Sequence, residues 1–520
     1  MSRNSTAHLV CINGFSDLEI NVCLVLEEKP IKQNTKLKTL TKYVLQHPRG
    51  WKKRKQLADI LRTMGRWEEA VSEYRQVLLR QPQLIEVWLQ LGQILQLMAR
   101  EAEAIETYES AMTLIGNPAT REHLKGLIDS CRQSDRSAAI AFESAAALEP
   151  DNPAHWLAVG QTQLRIENPA AALKAFDAIL AINPEDTIAL IYSYDALFAL
   201  GRFSEARQRI NQALELAPQD FRALKRMADY RCGMGLVTGE EGKQTKQLIR
   251  AAVQQVANAP GTLESLAYYY IFRGQSKKGV DLLQKFAVAH PNNPGGWYSL
   301  ARCLLHIGET CKAAEAILRA KNLYPGDCQI YLLACDILPE AGKLQELKPL
   351  VEEMLERFPE RWSICATAGR VLAENYKDIE RGLAVAATAP ELQPQVADAW
   401  FCYGRVLVLA KKYQEAVEVL ERGWQCWQSD GGCPIPAARW LGESYLALGD
   451  RAKSQQWWEE AARQAIELME FNPAMATYSQ GKALEALGDG KGAARAYRTI
   501  PSHQLLYPLV LEVKEALKRL

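Results

Sequence analysis

Along most of the chain, apolar residues recur every three or four positions among polar ones, the spacing of a stripe down one side of an α-helix. The stretch "NPAHWLAVGQTQLRIENPAAALKAFDAILAINP", residues 152–184, carries two such stripes, a polar turn between them and a proline at its end. Proline ends the second helix because it has no N–H for the helical ladder and disfavours helical geometry in the residue before it. The pattern therefore predicts a helical hairpin. It recurs: Pro48, Pro82, Pro150, Pro184 and Pro218 stand on one 34-residue ladder, with Gly116 on the remaining rung. Pro291, Pro325 and Pro359 form a second ladder at the same spacing, and Pro394 comes one residue late.

The same residue types recur inside each unit. A large residue falls in the first helix (Trp88, Trp156, Leu190, Leu224, Trp297, Tyr331, Trp400), and a small one follows four positions later (Gly92, Gly160, Ala228, Ala301, Cys335, Gly404). Tyr194 breaks that rule. In the second helix a small residue (Ala104, Ala172, Ala206, Ala313, Ala416) precedes a large one by four positions (Tyr108, Phe176, Ile210, Ile317, Leu420). Small positions let paired helices approach, and large ones fill the space beside them. A single hairpin cannot bury its stripe, so neighbours must stack into a solenoid.

These residues resemble the tetratricopeptide repeat (TPR) family. Its W-x2-L-G-x2-Y…A-x3-F…A…P pattern is met by Trp88, Leu91, Gly92, Leu95, Ala104, Tyr108 and Ala111, and again by Trp156, Gly160, Ala172, Phe176 and Pro184. The resemblance covers roughly residues 50–501, about thirteen repeats, and implies an all-α solenoid of helical hairpins wound as a superhelix. It leaves function open, since a fold does not name a function. The expected organisation is a basic N-terminal segment at 1–49, repeats 1–6 at 50–259, repeats 7–13 at 260–501, and a capping helix at 502–520. Ser16 and Glu19 make a capping box, so residues 16–28 read as a helix of a degenerate repeat, although "INVCLVL" also fits a strand.

Departures from the repeat draw attention to particular stretches. Glu122 stands where the third repeat should have its aromatic. Extra residues appear at 232–243, "CGMGLVTGEEGK", and at 428–436, "QSDGGCPIP", and the twelfth repeat has a long second helix. Insertions in arrays map to loops on one face, often the binding face, although a loop without a role of its own is the plainer reading of both. Trp424, Trp427, Trp440, Trp457 and Trp458 are denser than the pattern requires; Trp458 takes the packing position, which leaves Trp457 facing elsewhere as a candidate aromatic surface.

Composition narrows the class. With 48% hydrophobic and 24% charged residues and a net charge of +1, the chain reads as a soluble folded protein without a global field toward nucleic acid or membrane. It lacks an apolar run of membrane-spanning length, and its start lacks a signal-peptide layout. Twelve cysteines are scattered without a CxxC pair, which suits a reducing, cytoplasmic setting.

Enzymatic chemistry finds little support. Gly242-Lys243 is followed by Gln244 and lacks the first glycine of a phosphate-binding loop. His290, His306 and His503 lie apart, and the acidic pairs Glu240-Glu241, Glu352-Glu353 and Glu459-Glu460 are adjacent, so each pair splays around its helix. The expectation is a non-enzymatic protein with neither cofactor nor metal.

The TPR resemblance implies that partners lie in a concave groove lined by positions 2, 5, 9, 12 and 13 of each first helix. By register these include Tyr268, Arg302, Asp336, Arg370, Arg405 and Lys482 at position 9, and Tyr298, Phe401, Arg439 and Tyr478 at position 5. This mixed-charge surface with aromatics is the candidate site for a protein or peptide segment. Equally, Arg302–Asp336–Arg370 and Arg405–Glu443–Lys482 would pair across repeats and merely hold the stack. The carboxylate clamp of chaperone-binding TPR domains is not matched: Lys55 and Asp59 are followed by Gln90, then Thr120 and Leu124. The asparagine ladder of TPR-bearing sugar transferases is missing as well.

One asymmetry remains. Ten basic residues and no acid lie between Lys29 and Lys55, among them Lys36, Lys38, Lys42, Arg49, Lys52, Lys53, Arg54 and Lys55. They read as a solvated cap, or as a docking patch for an acidic protein or for nucleic acid. The sequence thus points to an interaction scaffold, with a nucleic-acid-associated subunit or the regulatory arm of a separate enzyme as alternatives.

Overall fold

The computed structural model describes residues 30–63, 66–98, 100–255, 260–432, 434–501 and 503–520; the expectation for residues 16–28 lies outside them. Thirteen α-helical hairpins follow one another, from Trp51–Thr63 with Trp67–Leu78 to Pro473–Ala486 with Gly490–Thr499. A helix at Pro30–Gln46 precedes them, and one at Leu509–Arg519 follows. The described residues contain no β-strand. The chain is an all-α solenoid in two compact units. The N-terminal unit holds the described residues up to Ile166 and Ala171–Ala189; the C-terminal unit holds Glu167–Ala170 and Leu190–Leu520.

The small and large positions meet each other inside every well-patterned hairpin. A Cβ on Gly92 would stand 2.2 Å from the Tyr108 ring, one on Gly160 2.3 Å from Phe176, and one on Gly404 2.4 Å from Leu420. Even the polar third repeat keeps this contact, Gly126 against Phe142. Trp458 likewise fills the space over Gly442. Any larger residue at these glycines would push the paired helices apart, and overpacking of that kind is destabilising.

Of the repeat tryptophans, Trp297 is buried in the core and the others are only partly covered. Trp88, Trp156 and Trp400 are half-buried, and each donates its indole N–H to the carbonyl of the proline six residues earlier: Pro82, Pro150 and Pro394. Trp297 does the same to Pro291. In these four units the tryptophan and proline positions therefore form one device, a side-chain clasp from a hairpin to the end of the one before. Arg319 and Arg422 lie 4.2 and 4.3 Å from the ring centres of Trp297 and Trp400, a cation–π contact that covers their outer faces. Several first helices open with Asn and Pro together, as at Asn117, Asn152, Asn293 and Asn472. The Asn oxygen caps a free N–H of the first turn, and proline at the first helical position loses no bond there.

The C-terminal unit turns back on itself through the stretches that depart from the repeat. The 428–436 insert carries Gly432, whose N–H reaches the carbonyl of Leu200 at 3.1 Å. Phe471, just beyond the long second helix of the twelfth hairpin, stacks on Phe203 and meets Phe198 edge-on, with ring centres 4.8 and 4.4 Å away. Tyr230 donates to the carbonyl of Glu470 at 2.9 Å. The expected capping helix begins only at Leu509, because Pro508 has no N–H to carry a helix through it. The residues before it form a strap instead: Tyr507 donates its backbone N–H to His306 O at 3.1 Å and its hydroxyl to Glu340 at 2.8 Å. Gly308, at φ +84° in a hairpin turn, lies under the Tyr507 ring, where a Cβ would be only 3.1 Å away. The 232–243 insert joins this closure, since a Cβ on Gly233 would stand 3.0 Å from the Phe471 ring and one on Gly235 3.2 Å from the Gln504 amide.

Candidate functional site

Four of the expected groove residues are walls rather than surface. Tyr268, Tyr298, Phe401 and Tyr478 are all buried. The Tyr268 hydroxyl is hydrogen-bonded to His306 Nδ1 at 2.5 Å, and Tyr478 donates to Glu512 of the terminal helix at 2.7 Å. Lys482 also turns to Glu512, at 3.5 Å. The terminal helix thus occupies the end of the groove at Tyr478 and Lys482. Arg439 is half-buried, and its Nε is buried without a hydrogen-bond partner.

The charged residues of position 9 gather into a buried network. Arg302 pairs not with Asp336 but with Glu264, one repeat earlier, and its guanidinium lies 5.6 Å from the ring centre of Tyr268 and 5.9 Å from that of Tyr298. Asp336 accepts from Arg370 at 2.9 Å. Glu374 sits between Arg370 and Arg405, and one of its oxygens lies 3.5 Å from each guanidinium. The pairing across repeats is therefore partial: Asp336–Arg370 forms, whereas Arg405 turns back to Glu374 and Lys482 to Glu512. Arg405 also lies over Trp440, 5.9 Å from its centre.

Burial sets the electrostatics of this network. It pushes the Asp336 carboxyl up, against the pull of Arg370 and Arg405. Burial and the adjacent Arg370 charge hold Arg405 down to about 10. His306 is held down to about 3 by burial and by Arg302, so it is neutral and can accept the Tyr268 hydroxyl.

Arg302, Asp336, Arg370 and Arg405 line a single cavity of about 770 Å³ in the C-terminal unit. The register of the first helices already contained Glu264 at position 5 and Glu374 at position 13, but neither was read as a partner of the arginines. The parts contributed by Phe471 and residues 504–508 had no signal, because they lie outside the repeat register.

Of the tryptophan cluster, Trp424 meets Trp427 and Trp457 with ring centres 4.8 Å away in each case. These rings cover one another, which removes Trp457 as a free aromatic surface.

The basic patch belongs to the N-terminal unit. Arg54 is tied to Glu73 at 2.5 Å, and Lys55 to Asp59 and Glu86 at 3.3 and 3.0 Å. Lys36, Lys38, Lys42, Arg49, Lys52 and Lys53 are exposed along Pro30–Gln46 and the start of the next helix. The patch thus reduces to these six side chains.

The same unit carries a feature the sequence reading did not single out. Leu45, Leu79, Leu114, Leu148 and Ile182 recur once per hairpin near the end of a helix, and all are exposed, Leu79 by 76% and Leu148 by 55%. Their near-34-residue spacing was available in the sequence; their exposure was not.

Gly242 and Lys243 lie inside the helix Gly239–Gln255, with Lys243 paired to Glu240, which is not the geometry of a phosphate loop. Among the described residues no three His, Cys, Asp or Glu side chains are placed to hold a metal ion, and no helix is long and apolar enough to cross a membrane.

Four tetratricopeptide repeat models match the chain, over residues 52–94, 85–118, 132–187 with 265–327, and 167–229. The chain is a tetratricopeptide repeat protein. A curated relative, "Protein CTR9 homolog" of Arabidopsis thaliana, is 23% identical over 410 residues, 68% of this chain. The match spans 34% of that protein's own length. Among solved structures, yeast Tom70 aligns over 80% of this chain and 96% of its own, at 14% identity and a TM-score of 0.41. A chain of the APC/C hetero-tetramer Cut9–Hcn1 structure aligns over 85% of this chain and 92% of its own, at 15% identity and a TM-score of 0.35.

Proposed function

We propose that this protein is a non-enzymatic scaffold that holds a partner protein on its stacked hairpins. The observation that carries the reading is the apolar ladder Leu45, Leu79, Leu114, Leu148 and Ile182 on the N-terminal unit. Their recurrence in register, once per hairpin, supports reading them as a surface for a partner. A rigid array that presents them loses little freedom on binding, which keeps the cost of association low. The scattered cysteines, without a CxxC pair, suit a reducing compartment, and on that ground we assign the protein to the cytoplasm.

The test is a pull-down from native lysate with nuclease and salt varied, comparing the wild type with Leu79→Glu/Leu148→Glu. The substitutions are at exposed positions and should leave the thermal transition in place. A partner retained by the wild type through nuclease and high salt, and lost by the variant, supports the scaffold. Retention by the variant excludes this surface.

A second reading rests on the six exposed cations between Lys36 and Lys53. They would dock nucleic acid through phosphate contacts, and that binding would weaken steeply with salt and vanish with nuclease. The match to an Arabidopsis CTR9 homolog, at 23% identity, is compatible with either reading.

A further inference from the structure

The cavity of the C-terminal unit is lined by arginines whose ion pairs the protein only partly completes. Arg370 is 9% exposed and has a firm partner, Asp336, at 2.9 Å, yet its Nε is buried without a hydrogen-bond partner. The Nε of Arg302 is in the same state. Arg405, more buried still, meets the Glu374 oxygen at 3.5 Å and shares it with Arg370 at the same distance. Charge-assisted N–H···O bonds are normally about 2.7–2.9 Å, so neither contact to Glu374 is a full bond. Two neighbouring guanidiniums sharing one distant oxygen have room for a further acceptor. A buried donor left without one carries its whole desolvation cost.

Part of the remaining wall is apolar, although Glu340, Glu374 and Glu467 also line it. Phe272, Leu305 and Leu506 line the same cavity. Its volume, about 770 Å³, falls in the range of sites that enclose a small organic molecule and is far larger than one or two waters need. The guanidinium fork matches the planar oxygens of a carboxylate and the faces of a phosphate, whereas an apolar wall favours hydrocarbon. Leu506 comes from the strap that closes the unit, so the site exists only when the array has turned back on itself.

We propose that this cavity binds a small amphiphilic oxyanion, a carboxylate or phosphate on an apolar body, with its head on Arg370 and Arg405 and its body against Phe272, Leu305 and Leu506. This site is separate from the partner surface proposed above and stands or falls without it.

Calorimetric titration of the full chain with octanoate, octyl phosphate, octanol and inorganic phosphate separates head from body. Octanoate or octyl phosphate should bind at least about tenfold more tightly than octanol and than phosphate alone, the worth of one or two hydrogen bonds to a charged group. Which of the two heads binds better identifies the oxyanion. Arg405→Gln should remove that tenfold advantage, and Arg405→Lys should restore part of it. Leu305→Trp, which fills the apolar side and leaves every arginine in place, should weaken both amphiphiles and guards against an unfolded Arg405→Gln. Octanol binding as tightly as octanoate, unchanged affinity in a folded Arg405→Gln, undiminished binding in Leu305→Trp, or no binding by any of the four compounds would overturn the proposal.

Discussion

Both units of this chain concentrate positive charge, and they treat it in opposite ways. In the N-terminal unit Lys36, Lys38, Lys42, Arg49, Lys52 and Lys53 stand in water along one helix and the start of the next. In the C-terminal unit Arg302, Arg370 and Arg405 are drawn into a cavity, and each meets a carboxylate: Glu264, Asp336 or Glu374. Surface cations are screened by salt and contribute little to stability. Buried cations depend on their partners, because a lone charge in a poorly solvating interior is costly. The first set is available to any anionic surface that approaches; the second selects only what fits inside. A count of basic residues along the chain cannot tell these cases apart. Depth can.

The sharpest way to break this comparison is to remove one carboxylate. Glu374→Ala would leave Arg405 and Arg370 facing each other and should destabilise the C-terminal unit by about 3 kcal/mol, the lower end for a broken buried pair because Glu374 is partly exposed. Denaturant unfolding measures it. Charge reversal at Lys52 and Lys53 should shift stability by less than about 0.5 kcal/mol, and a comparable loss in both variants would show that the two sets of charge are not different in kind.

A second effect is acid sensitivity, which both units carry: burial holds His123 of the N-terminal unit down to about 4, and His306 marks the C-terminal unit. His306 is neutral in the fold, held down to about 3, whereas an unfolded histidine takes up a proton near 6.5. A base with a depressed folded pKa contributes stability that is complete above its unfolded value and is lost as pH falls toward the folded one. The C-terminal unit's melting temperature should therefore drop between pH 6.5 and about 3, and His306→Gln should flatten that slope. A slope unchanged by His306→Gln would assign the acid sensitivity to other groups.

The smallest effect concerns what the units share. Trp88→Phe keeps a ring at the packing position and removes the N–H that reaches Pro82, and should cost the N-terminal unit about 1 kcal/mol in thermal or denaturant unfolding. A neutral outcome would reduce the clasp between hairpins to simple packing.

Much of this architecture is written in the chain. The proline ladders, the Gly92–Tyr108 type of pairing and the count of about thirteen hairpins follow from periodicity, because a repeat meets only its neighbours and its rules are local. The candidate site was legible in part. Register placed Arg302, Asp336, Arg370 and Arg405 on one face, and Asp336–Arg370 does pair across repeats. It did not show that Arg302 turns to Glu264 or that Tyr478 and Lys482 are taken by Glu512 of the chain's own terminal helix. Those outcomes depend on which side chain is nearest in space.

What only the tertiary structure decided is the closure of the C-terminal unit. Gly432 meeting Leu200, Phe471 packing on Phe198 and Tyr507 bonding to His306 join residues some two hundred positions apart or more. No local pattern encodes such meetings, because they depend on the curvature accumulated over many hairpins. The sequence by itself determined the hairpin, its spacing and its packing, all of which are nearest-neighbour physics. The cavity, and the arginines that line it, arise from the small rotation per repeat summed until the C-terminal unit meets its own first hairpin.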